Sequence, residues 1–110
     1  LLASSQTMDL ALKYIDGNYR REISLEELAQ VCHANKYYLS HLFSRIQGVS
    51  VGKYILCRRL DEAKRLLLQG ELTVGAVAEA CGFDDANYFS RVFKRETGQT
   101  PRAFRRSSQQ

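Results

Sequence analysis

A chain of 110 residues with 45% apolar side chains, seven glycines and a single proline is one domain, or two very small ones sharing a core, and not a disordered segment. β-branched residues are scarce beside Leu, Ala, Glu, Arg and Lys, so the expected class is all-α. The net charge of +4 points mildly to an anionic partner, and no apolar run approaches the ~20 residues that span a bilayer, so no membrane partner is expected.

In chain order, residues 1–8 are read as a linker remnant or disordered start, because LLASSQ lacks the basic start and length of a signal peptide. Residues 7–19 place Met8, Ala11, Leu12 and Ile15 at helical spacing and end near Gly17-Asn18. Ser24-Leu-Glu-Glu27 is a capping box opening a short helix over 24–32, with Leu25, Leu28, Ala29 and Cys32 on one face. His33-Ala34-Asn35 is a tight turn, and Asn35 caps a helix over 36–47 expected to bury Leu39, Leu42, Phe43 and Ile46. Gly48 stops it. Ser50 then caps a long helix over 51–69, with Tyr54, Ile55, Leu56, Leu60, Ala63, Leu66 and Leu67 apolar.

The pattern then repeats. Thr73 caps a short helix with Val74, Val77, Ala78 and Cys81 inward, offset by 49 residues from Ser24, Leu25, Leu28, Ala29 and Cys32. Gly82-Phe83-Asp84-Asp85 is the turn, with Gly82 suited to a positive φ. After it the offset is 50: YLSHLFSRIQGVS over 38–50 lies on YFSRVFKRETGQT over 88–100. The helix over 86–97 buries Phe89, Val92 and Phe93, Gly98 stops it, and Thr100-Pro101 opens a last helix carrying Phe104 inward. Residues 107–110 are a tail. The chain thus holds two copies of a helix–turn–helix unit, over 24–48 and 73–98, joined by the long helix 51–69.

Charge is segregated along the chain. Residues 71–85 carry four acids and no base, while 91–106 carry six bases and one acid, Glu96. Cys32, Cys57 and Cys81 form no CxxC pair and sit on apolar stripes. They are read as free thiols of a reducing, cytoplasmic compartment, so no catalytic centre, metal or cofactor is expected.

The second helix of each unit carries the functional signal. Opposite its apolar stripe the first presents Tyr37, Ser40, His41 and Ser44; the second presents Asn87, Ser90, Arg91 and Lys94. Neither face holds an acid, although an ordinary solvated face mixes Glu with Lys. Hydroxyl, amide, imidazole and guanidinium groups suit base edges and phosphates. The amides at the helix starts Ser24, Thr73 and Thr100 suit phosphate oxygens. Arg45 and Lys53 add charge near the first unit; Arg91, Lys94, Arg95 and Arg102 add it near the second. A nineteen-residue linker helix is about 28 Å long at 1.5 Å per residue, against about 34 Å between successive major grooves.

The blocks ISLEELAQ, YYLSHLFSRIQGVS, RRLDEAKRLLL and above all ACGFDDANYFSRVFKRETGQTPRAFR strongly resemble the DNA-binding domain of bacterial AraC/XylS-family transcription regulators, from about Asp9 to Arg105. The resemblance implies a homeodomain-like all-α fold of seven helices and sequence-specific binding of double-stranded DNA by two recognition helices in adjacent major-groove segments. The base-contacting residues it implies are Tyr37, Ser40 and His41 in the first unit and Ala86, Asn87, Tyr88 and Arg91 in the second. The backbone set, with the charges above, is Ser24, Lys36, Ser44, Arg45, Lys53, Thr73, Ser90, Lys94, Arg95, Thr100 and Arg102. Relatives often carry longer or basic side chains on the first reader, so Ser40 and His41 make it the weaker one. Partners implied are promoter or operator DNA, RNA polymerase, and an N-terminal sensor or dimerisation domain absent from this chain. Two other readings stand beside it: a helical module whose basic face meets an acidic protein, and a thiol-dependent enzyme.

Overall fold

The computed structural model describes residues 3–107, and every regular element among them is helical. They are α1 Ser4–Asn18, α2 Leu25–Val31, α3 Lys36–Gln47, α4 Val51–Gln69, α5 Val74–Ala80, α6 Ala86–Thr97 and α7 Pro101–Ser107. The expected spans of α3, α4 and α6 agree residue for residue. The expected linker remnant does not hold over its whole length. Residues 1 and 2 lie outside the described residues, but helix begins at Ser4, three positions before the spacing suggested. Gln6 is the cause: its side-chain oxygen accepts from the Ala3 amide at 2.9 Å, while Thr7 and Met8 are already buried. Of the expected tail only Ser107 is described, as the end of α7.

The chain divides into two compact units, residues 1–58 and 59–110, and α4 contributes to both. In the first unit, α1, α2 and α3 enclose Met8, Ala11, Ile15, Leu28, Ala29, Cys32, Leu39, Leu42 and Phe43, and Ile55 of α4 joins them. The Phe43 ring meets the Tyr54 ring edge-on at 5.4 Å. Ile46 was expected in this core and is not in it: it is 48% exposed. It lies in the last turn of α3, past the level at which the core ends, and its counterpart in the second copy is Glu96.

The second unit is built on aromatic rings. Phe83 meets Phe89 at 5.0 Å, Phe89 meets Phe93 at 5.7 Å, and Phe93 meets Phe104 of α7 at 5.5 Å. Leu60, Ala63 and Leu67 of α4, Val77 and Ala78 of α5, and Cys81 just after it are buried in the same unit. Such rings bring large buried area, and their tilted contacts add about 0.5–1.5 kcal/mol per pair beyond it.

The two turns are alike in hydrogen bonding. His33 N donates to Gln30 O at 3.2 Å and Ala34 N to Ala29 O at 3.0 Å. Gly82 N donates to Glu79 O at 3.1 Å and Phe83 N to Ala78 O at 2.9 Å. Both are Schellman closures, which need a left-handed residue after the helix. Gly82 supplies φ 95°, as its sequence position suggested, and His33 supplies φ 54°.

Candidate nucleic-acid interface

Each second helix is aimed by its cap. The Asn35 side chain accepts from Tyr37 N at 2.8 Å and Tyr38 N at 3.4 Å. Asp85 does the same for Asn87 N and Tyr88 N, at 2.8 and 3.4 Å. Asp85 was not singled out in the sequence; its place 50 residues after Asn35 was the available signal. Side-chain caps of this kind stabilise a helix by about 1 kcal/mol. Here they also fix where the exposed face begins.

With Leu39, Leu42 and Phe43 buried, α3 leaves Tyr37, His41 and Ser44 exposed and Ser40 half-buried. With Phe89, Val92 and Phe93 buried, α6 leaves Ala86, Asn87, Tyr88, Arg91 and Lys94 exposed and Ser90 half-buried. Tyr37, His41 and Ser44 therefore share one accessible face of α3, and Asn87, Arg91 and Lys94 one of α6, with Ser40 and Tyr88 at the margins and Ala86 at the helix start. Arg91 and Lys94 make no ion pair among the described residues, so both heads are available to a partner.

The expected backbone residues differ more in their surroundings. Lys36 is engaged: its ammonium pairs with Glu26 at 3.0 Å and lies 5.4 Å from the Tyr37 ring centre. The Glu26 backbone amide first, and then that pair, hold the Glu26 carboxyl below the usual carboxylate range. Arg95 pairs with its neighbour Glu96 at 3.1 Å. Arg45 is exposed and lines a small cleft of about 210 Å³ with Tyr38, His41 and Leu42. Lys53 is half-buried in the first turn of α4, where its amide meets the Ser50 hydroxyl at 3.1 Å. Arg102 is exposed on α7.

The three helix starts are also unlike. At α2 the capping box closes as expected, Glu27 N to Ser24 Oγ at 3.0 Å and Ser24 N to Glu27 Oε1 at 3.2 Å. Two carboxylates, Glu26 and Glu27, thereby stand beside Ser24. Thr73 caps through Ala76 N at 3.1 Å and Thr100 through Ala103 N at 3.1 Å, and neither first turn contains an acid. An approaching phosphate meets repulsion at the first start that it does not meet at the other two.

Two arginine hubs were missed in the sequence. Arg21 donates to Asn18 Oδ1 at 3.3 Å, Glu22 O at 2.8 Å and the Tyr14 hydroxyl at 2.6 Å, and it pairs with Glu27. Tyr14 also donates to Glu27, at 2.5 Å, and together these bonds hold the Glu27 carboxyl down to about 2. In the second unit Arg105 reaches from α7 to Leu67 O at 3.0 Å and Leu72 O at 2.5 Å, spanning the end of α4 and the approach to α5. Nothing local in the sequence marks either hub, because their partners are carbonyls or lie in other elements.

The cysteines are free, Cys32 and Cys81 buried and Cys57 half-buried. Burial pushes the Cys32 thiol up, away from the thiolate that a nucleophile needs. Among the described residues no group of His, Cys, Asp and Glu is arranged to hold a metal, and no helix is long and apolar enough to cross a membrane.

A short helix, a tight turn and a second helix with a polar, acid-free face, present twice, define a helix-turn-helix domain. Residues 28–107 match the protein family described as Helix-turn-helix domain. The chain is 37% identical over 107 residues to the bifunctional transcriptional activator/DNA repair enzyme AdaA of Bacillus subtilis (strain 168), covering 97% of this chain and 51% of that protein. It resembles the C-terminal domain of the two-component response regulator yesN from Fusobacterium nucleatum at TM-score 0.83 and 33% identity, over 89% of this chain and 96% of that one. A transcriptional regulator from Chromobacterium violaceum, described as containing an AraC-type DNA-binding domain, matches at TM-score 0.89 and 27% identity, over 97% and 96%. The chain belongs to this helix-turn-helix family, in its AraC type. It spans about half the length of AdaA.

Proposed function

We propose that this chain binds double-stranded DNA in a sequence-specific way and is the DNA-binding part of a bacterial transcription regulator. One observation carries the proposal: α6 presents Asn87, Arg91 and Lys94, exposed and with no acid among them, on a helix held by an aromatic core and an Asp85 cap. Each of α3 and α6 enters a major-groove segment. In the second unit the Asn87 amide can donate to and accept from an adenine edge, the Arg91 guanidinium can donate to a guanine edge, and Ala86 suits a thymine methyl. In the first, Tyr37, Ser40 and His41 face the bases. Arg45, Ser44 and Lys53 there, and Thr73, Ser90, Lys94, Arg95, Thr100 and Arg102 in the second unit, neutralise or hydrogen-bond phosphates. Lys36 joins them by exchanging Glu26 for a phosphate, and Ser24 contributes least because of its two carboxylates.

The chain itself performs no catalytic step in this reading. The repair activity named for AdaA belongs to that protein, and Cys32, Cys57 and Cys81 have structural roles here. RNA polymerase and an N-terminal sensor or dimerisation domain complete the regulator, and its compartment is the cytoplasm.

The test is selection of bound duplexes from a random-sequence pool at near-physiological salt. Two enriched blocks, with their spacing, are the expected result and define the operator. Binding that vanishes with rising salt and enriches nothing would overturn specific recognition.

A further inference from the structure

The internal repeat permits a comparison that a single reader does not. At an offset of 50, the non-core positions of α3 and α6 fall into two groups. Tyr37/Asn87, His41/Arg91 and Ser44/Lys94 differ, as do Lys36/Ala86, Ile46/Glu96 and Gln47/Thr97 at the helix ends; Tyr38/Tyr88, Ser40/Ser90 and Arg45/Arg95 are identical. At about 100° per residue, positions 37, 41 and 44, and likewise 87, 91 and 94, form the centre of the exposed face, and the other differing pairs lie at the helix ends. Residues 38 and 45, and likewise 88 and 95, lie together on one flank, between that centre and the core. Ser40 and Ser90 are half-buried on the other flank.

Two readers that recognise different bases must differ where they touch bases. They stay alike where they touch what is common to all duplex DNA, the sugar–phosphate backbone. We infer that Tyr38 with Arg45, and Tyr88 with Arg95, form one backbone-phosphate clasp in each unit, the tyrosine hydroxyl and the guanidinium both donating to phosphate oxygens on one strand. This rests on the reading of the chain as a duplex-DNA binder. It adds Tyr38 to the interface and moves Tyr88 from the bases to the backbone.

Contacts within the chain do not account for the shared tyrosine: the Tyr38 hydroxyl lies 3.4 Å from Ser4 Oγ, a long bond it exchanges for a phosphate, and Tyr88 has no counterpart of it among the described residues. Tyr88 leans on Phe83, ring centres 6.3 Å apart, but Ala34 stands at the place of Phe83 in the first unit. The ring supports differ, whereas the exposures match, 48% at Tyr38 and 46% at Tyr88. In the first unit the pair also has a shaped space between its members, the cleft of about 210 Å³ lined by Tyr38, His41, Leu42 and Arg45. Arg45 is uncommitted among the described residues, and Arg95 is held by Glu96 at 3.1 Å. The guanidinium of the first clasp therefore contributes more than that of the second. An uncommitted guanidinium suits a reader whose centre, Tyr37, His41 and Ser44, is the less basic one.

The experiment compares Tyr38→Phe, Tyr88→Phe, Arg45→Gln and Arg95→Gln with the parent chain on the selected operator and on a random duplex, across a salt series. Each Tyr→Phe keeps the ring and removes only the hydroxyl. The expected loss is about tenfold on both duplexes alike, with base preference unchanged. Arg45→Gln lowers the slope of log affinity against log salt by about 0.9, and Arg95→Gln lowers it by less. A shifted preference at one base pair would mean that these residues read sequence and would overturn the clasp. Unchanged affinity on every duplex, in variants of unchanged thermal stability, would leave them only a packing or helix-end role and would also overturn it. If the parent chain binds neither duplex, the DNA-binding reading itself falls, and that result is visible before any variant is made.

Discussion

The two units carry one backbone plan with different side chains. Caps and turns repeat to within a few tenths of an ångström: Asn35 and Asp85 cap at the same two distances, and both turns close with the same pair of hydrogen bonds. The fillings diverge. The first core is largely aliphatic and adds an ion-pair hub, Tyr14–Arg21–Glu27. The second is a run of four phenylalanine rings, and Arg105 on α7 anchors the approach to its first helix. A duplicated unit thus conserves what fixes helix direction and varies how the helices are held and what they present.

The largest expected difference between the units is in core truncation. Phe93→Ala removes a fully buried ring with two ring neighbours, Phe89 and Phe104. Phe43→Ala removes one with a single ring neighbour, Tyr54. Both fall in the range of about 3–5 kcal/mol, with Phe93→Ala near the top. Chemical denaturation of both variants checks the order. Equal losses would show that the ring contacts add nothing beyond burial.

The next difference is in recognition. Arg91→Ala is expected to cost about 1–3 kcal/mol of discrimination at one base pair, as for a bidentate guanine contact. His41→Ala, at the equivalent position, is expected to cost less. Selection with each variant reads this directly. A loss of Arg91 that is uniform over all sequences would place its guanidinium on a phosphate.

Most of this arrangement was legible in the sequence because it is written in short-range signals. Capping residues, Gly48 and Gly98, and 3–4 spacing of apolar residues located α3, α4 and α6 to the residue. The doubling of the pattern exposed the repeat. Ile46 was misplaced because periodicity reports which side of a helix a residue is on and not how far along it the core extends. Arg21 and Arg105 escaped notice because their partners are backbone carbonyls or residues in other elements. The faces of the two readers were legible, but Lys36 and Arg95 looked like free cations, and only the fold shows the carboxylates beside them.

The first unit is also the one expected to respond to acid. Arg21 and Tyr14 hold the Glu27 carboxyl down to about 2, against an ordinary value of 4.5. A carboxyl depressed in the folded state contributes stability in full above the ordinary value and loses it as pH falls from about 4.5 towards about 2. The residue is solvent-accessible, so screening keeps the effect modest. Glu27→Gln should flatten the acid limb of a stability–pH curve. Its counterpart Ala76 gives the second unit nothing to lose there. An unchanged acid limb would mean that the hub forms equally in the unfolded chain.

The smallest effect concerns the turn, where the two copies meet one demand with different residues. The Schellman closure needs a left-handed residue, and a side chain there costs about 1–2 kcal/mol through its Cβ. Histidine tolerates the region better than most, and glycine brings back roughly 0.5–1 kcal/mol of unfolded-state entropy. The net gain from His33→Gly is therefore expected to be only about 0.5 kcal/mol. Gly82→Ala should lose about 1–2 kcal/mol, because the same φ must be kept with a side chain added. Thermal denaturation of the pair measures both signs. If His33→Gly destabilises, the imidazole makes up for its backbone strain, and the first turn keeps histidine for what its ring does and not in spite of its φ.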